Sequence, residues 1–112
     1  MDDLDKNGVD SNHTFDTTPE GITGKCLVMT TPDANRTMNT FLGITSTFSK
    51  DEVNEAAIKD SKYLYMEGYL VPGEDGQSAM KLAKKIAEDN GVKVAMTFSE
   101  PCFGKYFMHQ FV

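Results

Sequence analysis

Two short apolar stretches flanking an amphipathic one constrain this chain more than any other feature. Lys62-Tyr63-Leu64-Tyr65-Met66 is nearly continuous aromatic and apolar sequence, which reads as a buried strand ended by Glu67-Gly68-Tyr69. From Asp75 to Asn90 the apolar residues Ala79, Leu82, Ala83, Ile86 and Ala87 recur at three and four, and Gly91 supplies a C-terminal stop. That periodicity predicts a helix. Val92-Lys93-Val94-Ala95-Met96-Thr97-Phe98 is a second strand, broken by Pro101, and Phe103 to Phe111 reads as the opening of a further helix. Strand, helix, strand in that order is the pattern of a βαβ unit in a parallel sheet. Tyr63, Tyr65 and Met66 are expected in its core.

Upstream the period changes. Lys25-Cys26-Leu27-Val28-Met29-Thr30-Thr31 is β-branched and apolar, Pro32-Asp33-Ala34-Asn35 is a turn, and Arg36-Thr37-Met38-Asn39-Thr40-Phe41-Leu42 alternates again before Gly43. This predicts a β-hairpin in which Met38, Thr40 and Leu42 point one way and Thr37, Asn39 and Phe41 the other. Neither face is purely apolar, and a ribbon of that kind usually covers something. Ser49-Lys50-Asp51-Glu52 forms a capping box that opens a short helix to about Ser61. The expected organisation is a helix end and loop over 1–20, the hairpin over 21–45 and a partial α/β core over 46–112. A parallel sheet of two strands leaves faces uncovered and edges unprotected. The chain is therefore expected to be part of a larger domain.

Composition removes several functions. The net charge of −6 is spread along the chain without a block of like charges, which argues against nucleic acid or an anionic membrane surface as partner. No apolar run is long enough to span a bilayer, and the acidic start lacks the basic and apolar regions of a signal peptide, so a cytoplasmic protein is expected. Cys26 and Cys102 have no Cys-x-x-Cys spacing, and free thiols are expected.

Most short motifs have plain explanations. Asp3-Leu4-Asp5-Lys6-Asn7-Gly8 fits the first half of a calcium loop, but Thr14 stands where a bidentate glutamate is wanted, and Asp10 where such loops place an apolar residue. A polar helix C-terminus with Gly8 as its stop explains the same residues. Asn12-His13-Thr14 and Asn35-Arg36-Thr37 match a very short glycosylation sequon, and His13 and His109 have no partner at ligand spacing, so no metal site is expected. Standard phosphate loops and nucleophile elbows are absent from the sequence.

What remains is positional. Ligands of open α/β sheets bind beyond the carboxyl ends of the strands, which nominates Glu67, Gly68 and Tyr69, and after the next strand Ser99, Glu100 and Pro101. Glu67 reads equally as a solvated strand end. Arg36 is the only arginine, so a bidentate anion contact has to come from it; it reads equally as an exposed charge beside a turn.

Thr23-Gly24-Lys25-Cys26-Leu27-Val28, Thr31-Pro32-Asp33, Arg36 to Gly43, Tyr63 to Leu70 and Thr97-Phe98-Ser99-Glu100-Pro101 together resemble the middle of a PfkB (ribokinase-like) sugar and nucleoside kinase, nearest its adenosine-kinase-like branch. The likeness runs from about Leu4 to Phe111. It implies a partial ribokinase-like α/β fold, a β-hairpin lid plus the βαβ portion of a parallel sheet. It implies transfer of the γ-phosphoryl group of ATP, with Mg2+, to a hydroxymethyl group of a small sugar or nucleoside. By position, Arg36 corresponds to a lid arginine facing the transferring phosphate, Cys26 and Met38 to the lid side of the substrate pocket, and Tyr69 to the aromatic against base or sugar; Asn39, Glu67 and Gly68 complete the substrate-binding candidates. The chain supplies about a third of such a kinase. The family's Asp-Thr-x-Gly-Ala-Gly-Asp type motif, with the catalytic base and anion hole, does not occur in it, nor does the glycine-rich N-terminal segment. No catalytic residue is therefore expected here, and the chain alone should be inactive. Glu100 stands where relatives often carry Asp, and Lys25 where a small residue is common, which leaves the acceptor open. A homodimer through the lid is also open. The competing expectation is a non-catalytic binding or oligomerisation module that pairs through the exposed β-ribbon.

Overall fold

A computed structural model describes residues 2–10 and 20–97 of the protein. A short helix α1 (Asp2–Lys6) precedes a hairpin of strands β1 (Lys25–Thr30) and β2 (Arg36–Phe41). The two strands are antiparallel and pair from Lys25 opposite Phe41 to Thr30 opposite Arg36. Alternating β-branched and apolar residues form both arms, and Pro32 to Asn35 reverse the chain with Ala34 at φ 63°.

The capping box is present: the Ser49 N–H donates to Glu52 Oε2 at 2.7 Å, and the Ser49 hydroxyl accepts from the Asp51 N–H at 3.2 Å. It does not open the single helix expected to about Ser61. Lys50–Glu52 make one 3-10 turn, Val53 is extended at φ −78° and ψ 110°, and a separate helix α2 (Glu55–Lys59) follows. Two residues explain the break. Val53 is β-branched and stiff in the extended region, and Asn54 caps α2 anew by accepting from the Ala57 N–H at 3.0 Å.

Strand β3 (Tyr63–Glu67), helix α3 (Glu74–Asp89) and strand β4 (Lys93–Thr97) form the expected βαβ unit, with β3 and β4 parallel and Tyr63 opposite Lys93. Gly91 ends α3 at φ 73°, a region an L side chain seldom enters. The buried face of α3 is Gly76, Ala79, Met80, Ala83 and Ala87. It lies on the side of the sheet that carries Leu64, Met66, Val94 and Met96, and Met66, Val71 and Met80 are the centre of the core.

The second face of this sheet corrects an expectation. Tyr63 and Tyr65 are 62% and 61% exposed, whereas Met66 is buried as expected. Alternation along a strand sends odd and even residues to opposite sides, and α3 covers only the Leu64 and Met66 side. Among the described residues nothing comparable covers the other, where the Lys93 ammonium lies 5.4 Å from the centre of the Tyr63 ring. Phe98, the helix expected over 103–111, and Asn12, His13, Thr14, Ser99, Glu100, Pro101, Cys102 and His109 lie outside the described residues.

Gly76 marks a close approach. A Cβ there would stand 2.3 Å from the Leu70 carbonyl oxygen, in the 3-10 turn Gly68–Leu70 that leads into α3. Alanine would gain about 0.5–1 kcal/mol of helix propensity. Overlap with a backbone carbonyl costs about 1–3 kcal/mol. The second effect wins, so Gly76→Ala is expected to lower the urea midpoint, and an unchanged or raised midpoint would show that this turn yields freely.

Candidate functional site

The hairpin register decides which candidate residues share a surface. Directly opposed residues lie on one face, so Cys26 with Thr40, Val28 with Met38, and Thr30 with Arg36 form one side of the ribbon. Lys25 with Phe41, Leu27 with Asn39, and Met29 with Thr37 form the other. Arg36, Met38 and Cys26 are thus brought together on one face, and Asn39 is placed on the opposite one. Cys26 Sγ and Thr40 Oγ1 are 3.4 Å apart on the first face, which also exposes the apolar parts of Val28 and Met38. Cys26 is a free, exposed thiol.

Arg36 is the first residue after the turn, and the turn has its own internal lock. The Thr31 hydroxyl donates to Asp33 Oδ1, and the Asn35 side-chain amide donates to Asp33 Oδ2 at 2.6 Å. The Thr31 N–H donates to the Asn35 carbonyl at 3.0 Å, and the Ala34 N–H to the Thr31 carbonyl at 2.9 Å. Thr31 first, and Asn35 after it, hold the Asp33 carboxyl below its ordinary value of 3.8. Among the described residues no carboxylate pairs with the Arg36 guanidinium. The chain therefore presents a cation at the end of a face that mixes apolar Val28 and Met38 with Thr30 and Thr40, a combination suited to a ligand with both a phosphate and a less polar body.

The sign of the Asp33 shift gives a pH dependence. A carboxyl whose folded pKa lies below its unfolded one contributes order that is present above the unfolded value and lost as pH falls through the lowered one. The amide resonances of Thr31 and Ala34 are expected to hold steady down to about pH 4 and to move below it. Movement between about pH 5 and 7 would contradict the lock.

The second group of candidates is consecutive at the carboxyl end of β3. Glu67 is exposed and opposite Thr97 in the register, Gly68 is buried and begins the 3-10 turn, and Tyr69 is 44% exposed within it. The turn is tied down from both sides. The Val71 N–H donates to the Gly68 carbonyl at 3.1 Å, and Gln77 Nε2 donates to the Val71 carbonyl at 2.7 Å. Glu67 also borders a mostly apolar cleft of about 310 Å3, to which Phe48, Val53, Ile58, Leu64 and Leu70 contribute. Sequence reasoning did not single out Phe48, Val53 or Ile58. For Phe48 and Val53 the signal was an apolar residue just before each of two successive caps, and for Ile58 its place one turn into the helix that the second cap opens. The two groups of candidate residues sit on separate two-stranded sheets. Among the described residues no three His, Cys, Asp or Glu side chains are grouped so as to hold a metal ion.

The pfkB family carbohydrate kinase profile matches residues 1–110. Among solved structures, the chain is similar to the adenosine kinase of Sinorhizobium meliloti, with 30% identity and a TM-score of 0.73 over 80% of this chain and 27% of that one. It is also similar to a probable sugar kinase protein from Rhizobium etli CFN 42, with 27% identity and a TM-score of 0.71 over 79% of this chain and 27% of that one. The chain thus spans 27% of the length of each of these structures. A comparison with curated proteins gave no significant match.

Proposed function

Since the chain belongs to the pfkB family of carbohydrate kinases, we propose that it supplies the substrate-covering flap and part of the α/β core of an ATP-dependent kinase that phosphorylates a hydroxymethyl group of a small sugar or nucleoside. The observation that carries this reading is the family match over 1–110. A two-stranded flap with its lone arginine at the tip of one face supports it.

Phosphoryl transfer depends on placing donor and acceptor and on cations that meet charge developing on the phosphoryl oxygens. In this reading Arg36 supplies such a cation from the flap. Cys26 and Met38 line the acceptor side of the flap, Asn39 contributes from the flap's other face, and Glu67, Gly68 and Tyr69 line the strand-end side. Tyr69 packs on the acceptor's base or sugar ring. ATP with Mg2+ is the phosphoryl donor of the reading. No three His, Cys, Asp or Glu side chains are grouped among the described residues, and no step through the metal is assigned to them. The acceptor is a small molecule, and the acidic balance of −6 disfavours nucleic acid. We place the reaction in the cytoplasm, where ATP is available; no described helix is long and apolar enough to cross a membrane.

The second face of the flap supports one further reading. Leu27 and Phe41 are 62% and 56% exposed there, beside Met29. Such a surface suits pairing with a second chain, either as a homodimer of the kinase or as a non-catalytic module. ADP release from ATP, measured with adenosine, ribose and fructose as acceptors alongside light scattering, separates these. Acceptor-dependent ADP release is expected from the whole kinase that contains these residues, and none from residues 1–112 alone. A whole protein that forms a folded, defined oligomer and releases no ADP with any acceptor would replace the kinase by the module.

A further inference from the structure

We propose that Asp33 is a positioning residue for phosphoryl transfer: it locks the flap turn so that Arg36 leaves the turn unpaired, on the face that carries Met38 and Cys26. The inference rests on the kinase reading above and goes beyond it by assigning a role to a group with no contact to substrate.

Three observations carry it. The turn needs a lock, because Ala34 is held at φ 63°, a region that alanine does not favour. Asp33 supplies the lock, since one oxygen accepts from the Thr31 hydroxyl at the turn's start and the other from the Asn35 amide at its end. The last observation is electrostatic. Asp33 is the carboxylate nearest to Arg36 in sequence, yet it is occupied by neutral donors, and no ion pair joins it to the guanidinium. A carboxylate released from Thr31 and Asn35 could reach for Arg36 and cancel the cation needed at the phosphoryl group. The same bonds that shape the turn therefore keep Arg36 available. The register completes the argument, since Arg36 pairs opposite Thr30 and shares its face with Val28 and Met38.

The test is a double-mutant cycle in the active kinase, read as kcat and acceptor KM for Asp33→Ala, Arg36→Ala and the double variant. Asp33→Ala is expected to lower kcat about threefold to tenfold with acceptor KM within about twofold. Arg36→Ala is expected to lower it further, and the double variant to be no slower than Arg36→Ala alone. Asp33→Asn keeps an acceptor for Thr31 but turns a donor toward Asn35, so it should fall between the parent and Asp33→Ala. If Asp33→Ala does not fold, the same cycle is run with Asp33→Asn. Losses that multiply in the double variant, or a kcat unchanged by the Asp33 substitutions, overturn the positioning role and leave the kinase reading intact. An Arg36→Ala enzyme of undiminished kcat overturns the role by removing the residue it serves. Absence of any phosphoryl transfer by the whole kinase that contains these residues is the distinct result that sinks the kinase reading, and this inference with it.

Discussion

Arg36→Ala is expected to reduce kcat of the kinase by about tenfold or more, while acceptor KM changes little. The argument is one of differential binding. Charge on the equatorial phosphoryl oxygens is redistributed during transfer, and a guanidinium aimed there stabilises the transition state more than the bound acceptor. Arg36 is the only arginine of the chain, it stands at the end of the flap, and no carboxylate among the described residues neutralises it. Arg36→Lys keeps the charge but loses the planar fork, so it should recover only part of the rate. Steady-state kinetics over a range of acceptor concentrations separate the two parameters. A loss confined to KM would move Arg36 from phosphoryl contact to acceptor binding.

The second large effect is on stability. Met80 is 3% exposed and packs with Met66 and the fully buried Val71 in the centre of the core. Met80→Ala is expected to cost about 2–5 kcal/mol, the sum of lost transfer free energy and an unfilled cavity. A whole domain commonly has only about 5–15 kcal/mol of net stability. The substitution therefore removes a large share of it, and urea unfolding followed by circular dichroism should show an early midpoint. Leu27→Ala is the control. It deletes as much apolar volume from a 62% exposed site, and its effect should stay within about 0.5 kcal/mol. Equal losses for the two variants would mean that the flap face is covered in solution, which bears on the dimer reading.

The particular residues show how far sequence reasoning reached. The hairpin and α3 were legible from alternation and from the spacing of three and four, the parallel strands from the short apolar runs that flank α3, and Gly91 and the turn residues marked the ends. The orientation of Tyr63 and Tyr65 was not. A continuous apolar run carries no alternation, so nothing in it says which side a helix will cover; that depends on where α3 packs. Val53 was missed as a break because a strong capping box upstream masked the second cap at Asn54. For the candidate site, alternation along β2 already separated Asn39 from Met38, and the register bears it out. The grouping of Cys26 with Met38 came from family resemblance, which fixes positions and not faces. The lock around Asp33 was hidden for another reason. Composition places Thr, Asp and Asn in turns, but which donor meets which oxygen is settled only by the backbone path, here by Ala34 at φ 63°.

The pairing pattern has a consequence for how the chain is made. Among the described strands β1 bonds to its neighbour β2 across a short turn, and β3 bonds to β4 across one intervening helix. Folding speed rises as contact order falls. The hairpin can consequently close as soon as β2 has been synthesised, whereas β3 must wait for α3 and β4 before its pairing is made.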